Sequence, residues 1–307
     1  MMPHTQYIKE SNQLLYNKGK TFFWAKFLLT QQHAINAVRL YRFCRHIDDI
    51  GDEITDKKLA KSMLSKIIKE LKKGESKHEV VQDAILLFDE CKIDIAIPIL
   101  LIQGVMSDLS LVRFKNEHEL LIYCYQVAGT VGLMMSKLLG IKDDCAYAHA
   151  IDLGIGMQLT NICRDVIEDA HLNRRYIPAS LIGEIDPEDL ICPNIETQIK
   201  IKDALASLLK SADHYYQSGY YGLCFLPFRA RLAISVASSL YRQIGVVLQK
   251  NYYQCWLFRA SVSLQSKLSL TLKTLLLSLA DVNFFRYSKR HNPFLHQAIK
   301  KLPYVNA

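Results

Sequence analysis

The chain has 307 residues, half of them apolar and 22% charged, with a formal net charge of +8. That composition excludes a disordered or fibrous protein and allows one large helical domain or two ordinary ones. Its eight cysteines form no CxxC pair and read as reduced cytosolic thiols, not as a disulfide framework or a zinc site.

The N-terminal stretch MMPHTQYIKE lacks the apolar centre of a secretory signal. From there, apolar residues recur at helical spacing through about 31–50, 54–72, 117–139, 145–170, 196–218, 229–249 and 261–280. Strand-type alternation persists nowhere. An apolar run at 95–102, interrupted by Pro98, is shorter than the roughly 18 residues a membrane span needs. Gly74, Gly140 and Pro178 punctuate helix ends, and 183–194, with Pro187 and Pro193, is expected to be a surface connection. With no internal repeat, the expectation is one all-α domain over 1–307.

In the first of these helices YRFCRHIDDIGDE places Tyr41, Arg45, Asp48 and Asp52 within about 60° of arc on the helical wheel. Burying that stripe without partners would cost several kcal/mol per ion. It is either an Arg–Asp pair on a wet face or half of a site for divalent cations and a polyanion. In MQLTNICRDVIEDAHLNRRYIP, Gln158, Asn161, Asp165 and Asp169 share about 80° of arc. Their oxygens are hard ligands suited to Mg²⁺, with Arg164, Arg174 and Arg175 as cations for a polyanion. The plainer alternative is a salt-laced helix with Arg164 pairing Glu168. Two acid pairs facing one another could hold a diphosphate between metal ions.

No acid follows Asp281, whereas Arg286, Lys289, Arg290, Lys300 and Lys301 trail a leucine-rich helix ending in Phe284 and Phe285. This basic tail, about 286–307, is either solvated or a foot on an anionic membrane surface. No nucleic-acid motif accompanies the charge, and nothing in the sequence calls for an obligate protein partner.

At the two aspartate segments the chain resembles the squalene/phytoene synthase family, the head-to-head prenyl-diphosphate condensing enzymes, and is closest to its phytoene synthases. GKTFFWAKFLL, YCYQVAGTVGLMM (123–135), LPFRARLAISVASSLYRQIG and NYYQCWLFRA extend the resemblance over about 18–267. It implies an isoprenoid-synthase-type helical bundle around a central apolar cavity. By the same resemblance Asp48, Asp52, Asn161, Asp165 and Asp169 bind Mg²⁺, with Mn²⁺ as an alternative. Tyr41, Arg45, Lys20, Gln158, Arg164 and Tyr253 contact the prenyl diphosphates or assist the leaving group. Phe258 replaces the first arginine of an Arg-Arg pair found in many relatives, leaving Arg259.

Phe22, Val127, Gly129, Val131, Gly132, Leu133 and Leu153 are candidates for the cavity wall, with the glycines opening space for a long isoprenoid. The implied reaction joins two geranylgeranyl diphosphates through a cyclopropylcarbinyl diphosphate to give phytoene. The alternative is farnesyl diphosphate, giving dehydrosqualene or squalene, and NADPH is required only for squalene. A terpene cyclase and a non-catalytic membrane-associated helical protein are more distant readings. The implied location is cytoplasmic, with peripheral attachment at the inner face of the membrane.

Overall fold

The computed structural model describes residues 20–287 and 291–305, with side chains from Phe23 onward. Fifteen α-helices account for most of them, and the one β-type pairing among the described residues is an isolated bridge between Arg113 and Arg175. The helices are α1 Lys20–Ala25, α2 Gln31–Glu53, α3 Lys57–Lys73, α4 Glu79–Glu90, α5 Ala96–Ser107, α6 Glu117–Cys124, α7 Thr130–Leu138 and α8 Cys145–Arg164. They continue as α9 Val166–His171, α10 Ala179–Ile182, α11 Pro187–Ile191, α12 Ile195–Tyr221, α13 Phe228–Lys250, α14 Leu264–Ala280 and α15 Val282–Phe285.

Local chemistry explains where the helices start and stop. The hydroxyl of Thr30 accepts a hydrogen bond from the His33 amide at the start of α2, and Asp56 and Asn194 cap α3 and α12 in the same way. Gly74 ends α3 at φ 74°, a left-handed turn that glycine adopts without strain. Pro98, the apparent break in the 95–102 run, lies in the first turn of α5, where its missing N–H leaves no hydrogen bond unmade. The α5 helix, not expected from the sequence, therefore forms across Pro98, and α4 is likewise a helix outside the expected segments. The 183–194 connection likewise contains α11, with Pro187 at its start.

The centre of the bundle is α8, packed against α6, α7, α12 and α13. Ile151, Ile155, Leu159 and Ile162 of this helix are all buried, each worth on the order of 1.5–3 kcal/mol of transfer free energy. The motif helix α2 packs on α3, α4 and α5. Arg39 locks it to α4, donating to Asp83 at 2.9 Å and to Glu90 at 2.7 Å.

The glycines between α7 and α8 serve close helix contact. A Cβ on Gly132 would lie 2.1 Å from the Ala150 carbonyl oxygen, and one on Gly154 would lie 2.2 Å from that of Ala128. Gly132 borders the cavity, but its conformation is required by this approach rather than by room for substrate. Gly132→Ala therefore pushes two backbones apart. It should destabilise the fold by about 1–3 kcal/mol in a denaturant titration, and an unchanged midpoint would contradict this account of the glycine.

The C-terminal segment is not a free basic tail over 291–305. His296, Ile299 and Val305 are buried, and the Tyr215 hydroxyl donates to the Leu295 carbonyl at 2.9 Å. Lys289 and Arg290 lie outside the described residues, while Lys300 and Lys301 are exposed.

Candidate active site

Asp48 of the first aspartate motif and Gln158 and Asn161 of the second line an apolar cavity of about 420 Å³, and Asp108 and Arg174 couple Asp52 to Asp169. Leu40, Val131, Leu153 and Met157 line its interior, and Tyr41, Arg45, Asp48, Gln158, Asn161 and Tyr241 bring polar groups to its wall. Of the wall residues expected from sequence, Val127, Val131, Gly132 and Leu153 line it. Leu133 is instead core, Gly129 packs against Tyr125 and Ile151, and the Phe22 side chain lies outside the described residues.

On α2, Arg45 turns to Asp49, its Nε donating to the carboxylate at 2.6 Å. Asp48 is thereby left half-buried beside Asp52 and Asp49. Burial, opposed by Arg45 and reinforced by Asp52, Asp49 and Asp108, pushes its carboxyl up to about 7. Burial likewise pushes the Tyr41 phenol up to about 12, although Arg45 works against it. Asp52, one turn on, is held by Arg174 at 2.7 Å.

The second motif is not one continuous helix. Asp165 leaves helical geometry at φ −103° and ψ 20°, joining α8 to α9, while the Asp165→Asn161 and Asp169→Asp165 backbone bonds persist at 2.9 and 2.8 Å. The three side chains thus stay on one face across a kink. Arg164 donates to Asp165 at 2.7 Å, and Arg259 spans Asp165 at 2.7 Å and Glu168 at 3.0 Å. The pairing of Arg164 with Glu168 considered from sequence is therefore replaced by one with Asp165. Burial and the Asp165 charge push Asp169 up to about 8. The Asn161 amide donates to Gln158 Oε1 at 3.3 Å, and its buried oxygen has no hydrogen-bond partner. An unsatisfied buried oxygen beside crowded carboxylates is a donor set suited to a hard divalent cation.

Asp108, at the end of α5, links the motifs and was not singled out from sequence. Its charge acts on Asp48 and Asp52 on one side and on Asp169 on the other. Tyr123 Oη donates to its Oδ2 at 2.8 Å and lies 3.2 Å from the Tyr176 hydroxyl, while Oδ1 is buried without a partner. Burial, against the pull of Arg174, pushes Asp108 up to about 6.

Two expected residues lie elsewhere. Tyr253 is in the turn after α13 at φ 56° and does not line the cavity, where α13 supplies Tyr241 beside Arg164 and Asp165. Arg175 is buried and bonds the Ile177 carbonyl and Glu184, so it is structural. Lys20 begins α1, with its side chain outside the described residues.

A helical bundle enclosing an apolar cavity with an acidic, arginine-flanked mouth is the arrangement of an isoprenoid synthase. The squalene/phytoene synthase family profile matches residues 15–270. The chain is 32% identical over 268 residues to the 15-cis-phytoene synthase of Pantoea ananas, covering 83% of this chain and 86% of that protein. It is 30% identical over 277 residues to the phytoene synthase of Pseudescherichia vulneris, covering 86% and 89%. A dehydrosqualene synthase crystal structure superposes with a TM-score of 0.79 at 24% identity, covering 90% of this chain and 98% of that one. A squalene synthase from Alicyclobacillus acidocaldarius gives 0.69 at 17%, covering 81% and 94%. The chain belongs to the squalene/phytoene synthase family. It is a prenyltransferase that condenses prenyl diphosphates head to head.

Proposed function

We propose that this enzyme is a phytoene synthase that joins two molecules of geranylgeranyl diphosphate and depends on Mg²⁺. The observation that carries this reading is an apolar cavity lined by Asp48 and Asn161 of the two aspartate motifs, in a chain with relatives at 32% and 33% identity named 15-cis-phytoene synthase. Asp48, Asp52, Asn161, Asp165 and Asp169 would hold the ions, an all-oxygen set in which Mn²⁺ can substitute. Bound there, the ions would supply the charge neutralisation that makes diphosphate a better leaving group.

The chain's own residues do the rest of the work. Arg164, Arg174 and Arg259 already sit on Asp165 and Asp52, and Arg45, paired with Asp49, stands beside Asp48; they supply the positive charge that meets the polyanion. Tyr41, Tyr241 and Gln158 give the rim its neutral hydrogen-bonding groups, and Lys20 is a further cation for the diphosphate. The apolar wall excludes water from the carbocations.

One prenyl diphosphate ionises, and the double bond of the second attacks the allylic cation. Proton loss then gives a cyclopropylcarbinyl diphosphate. Loss of the second diphosphate, rearrangement and a second proton loss give phytoene. Two C20 diphosphates become one C40 hydrocarbon, two diphosphates and two protons.

Offered both substrates together, the enzyme should use geranylgeranyl diphosphate at least about tenfold faster than farnesyl diphosphate, with a product unaffected by NADPH. A C30 hydrocarbon as the main product, or one that forms only with NADPH, would replace this reading with dehydrosqualene or squalene synthesis.

A core running from α2 to the C-terminal segment supports reading the chain as one domain. Peripheral attachment to the inner membrane face, with the enzyme otherwise cytoplasmic, is part of the proposal. No helix among the described residues is long and apolar enough to cross a membrane. Its support is α14, where Leu264, Leu268, Leu272 and Leu276, spaced by four, are each more than half exposed, with Lys273 exposed beside them. Wild-type protein should sediment with anionic lipid vesicles, and Leu268→Asp with Leu272→Asp should weaken this at least about tenfold. Equal sedimentation of both proteins would remove α14 from the account.

A further inference from the structure

A second cluster of metal-type ligands lies away from the aspartate rim, where the C-terminal segment returns to α8. Asp152 precedes Asn161 by nine residues, about 13 Å of helix. Its carboxylate is fully buried, with His291 Nε2 2.8 Å from one oxygen and His296 Nε2 2.8 Å from the other. The three ligand atoms all lie within 4.8 Å of one another.

The outer contacts of the rings decide what these nitrogens carry. His296 Nδ1 faces the Val305 carbonyl at 3.2 Å, and a carbonyl only accepts, so Nδ1 bears the hydrogen. The neutral ring then aims an Nε2 lone pair at a carboxylate oxygen. Two lone pairs at that distance need a positive species between them, either a proton or a metal ion. The two rings converge on one carboxylate, with their centres 4.1 Å apart. One divalent ion satisfies both nitrogens and the carboxylate at once.

His149 repeats the pattern. Its Nδ1 lies 2.8 Å from the Ser218 carbonyl, which makes Nδ1 the donor and leaves Nε2 a lone pair. That Nε2 is buried without a hydrogen-bond partner, on a residue only 1% exposed, and the ring lies 5.5 Å from that of His291. Histidine ligands of metals commonly donate their other ring N–H to a backbone carbonyl, as His149 and His296 do here.

We propose that Asp152, His291 and His296 bind one Zn²⁺ ion, with the unpartnered His149 Nε2 as the candidate for its fourth position. Mixed nitrogen and oxygen ligands favour Zn²⁺ over Mg²⁺, so the site is chemically separate from the all-oxygen rim. Its role is structural. The ion staples the 291–305 segment to the central helix of the bundle.

The test uses the full-length protein, stripped with chelator, then titrated with Co²⁺ while excess Mg²⁺ occupies the rim. One equivalent of Co²⁺ per chain should develop the intense visible absorption of four-coordinate cobalt, and one equivalent of Zn²⁺ should abolish it. His291→Ala and His296→Ala should each weaken binding by at least about 100-fold, whereas Asp48→Asn keeps the band. Weak, six-coordinate cobalt absorption in the wild-type protein would overturn the proposal, whatever the folding of the variants. So would a band lost in Asp48→Asn and retained in His291→Ala.

Discussion

Asp48→Asn and Asp169→Asn should each lower kcat by about 10³-fold and, in chelator-treated protein, raise the melting temperature. Both effects have one cause. Burial and neighbouring acids push Asp48 up to about 7 and Asp169 up to about 8, so ionising the rim without a cation opposes folding. Amides of nearly the same shape are neutral without taking up a proton, so they avoid that cost at any pH above the ordinary carboxylate range. They also remove a ligand, and loss of several kcal/mol of charge stabilisation corresponds to the stated factor. Opposite signs in stability and activity mark a site built for function at the expense of the fold. Kinetics and thermal melts of the same preparations check the pair. Full activity in either variant would remove that carboxylate from the metal set, and a fall in melting temperature would contradict the repulsion.

Asp108→Asn should lower kcat by about 10²-fold with little change in KM, and Tyr123→Phe by about tenfold. Asp108 stands between the two motifs, and its charge acts on both. One oxygen is satisfied by Tyr123 at 2.8 Å, whereas the other is buried and unpartnered. A carboxylate placed there only to fill space would be replaced by asparagine without kinetic consequence. The phenylalanine variant separates the two oxygens, because it frees Oδ2 and leaves the charge in place. Steady-state kinetics at saturating Mg²⁺ measure both. An Asp108→Asn enzyme within twofold of wild type would make the residue structural.

Much of this was legible in the sequence, for a physical reason. Helical periodicity survives in any one-dimensional reading, so the long helices and both aspartate stripes were visible, as was the all-α fold. Departures from periodicity were not. The kink at Asp165 and the π-type turn at Tyr125–Gly129 leave the apolar pattern intact, so 145–170 and 117–139 read as unbroken helices. The α5 helix is apolar on nearly every side, which hides its period, and Pro98 resembled a break.

Single residues fared worse when only tertiary packing gives them meaning. Asp108 has no partner at helical spacing, and Tyr123 and Tyr176 reach it from other elements. Tyr253 resembled a substrate contact, yet the tyrosine that α13 puts on the cavity wall is Tyr241, well inside the helix. Asp152 did leave a trace, as a lone acid in the apolar stretch AYAHAIDLGIG. Its histidines arrive from some 140 residues downstream, which no local pattern announces.

The most direct test of the account is the stoichiometry of diphosphate release. With geranylgeranyl diphosphate, Mg²⁺ and no NADPH, head-to-head condensation requires two diphosphates for each C40 hydrocarbon formed. The account predicts that ratio, with phytoene as the hydrocarbon. One diphosphate per C20 product, the signature of a cyclase, or diphosphate release without any coupled hydrocarbon, would contradict it.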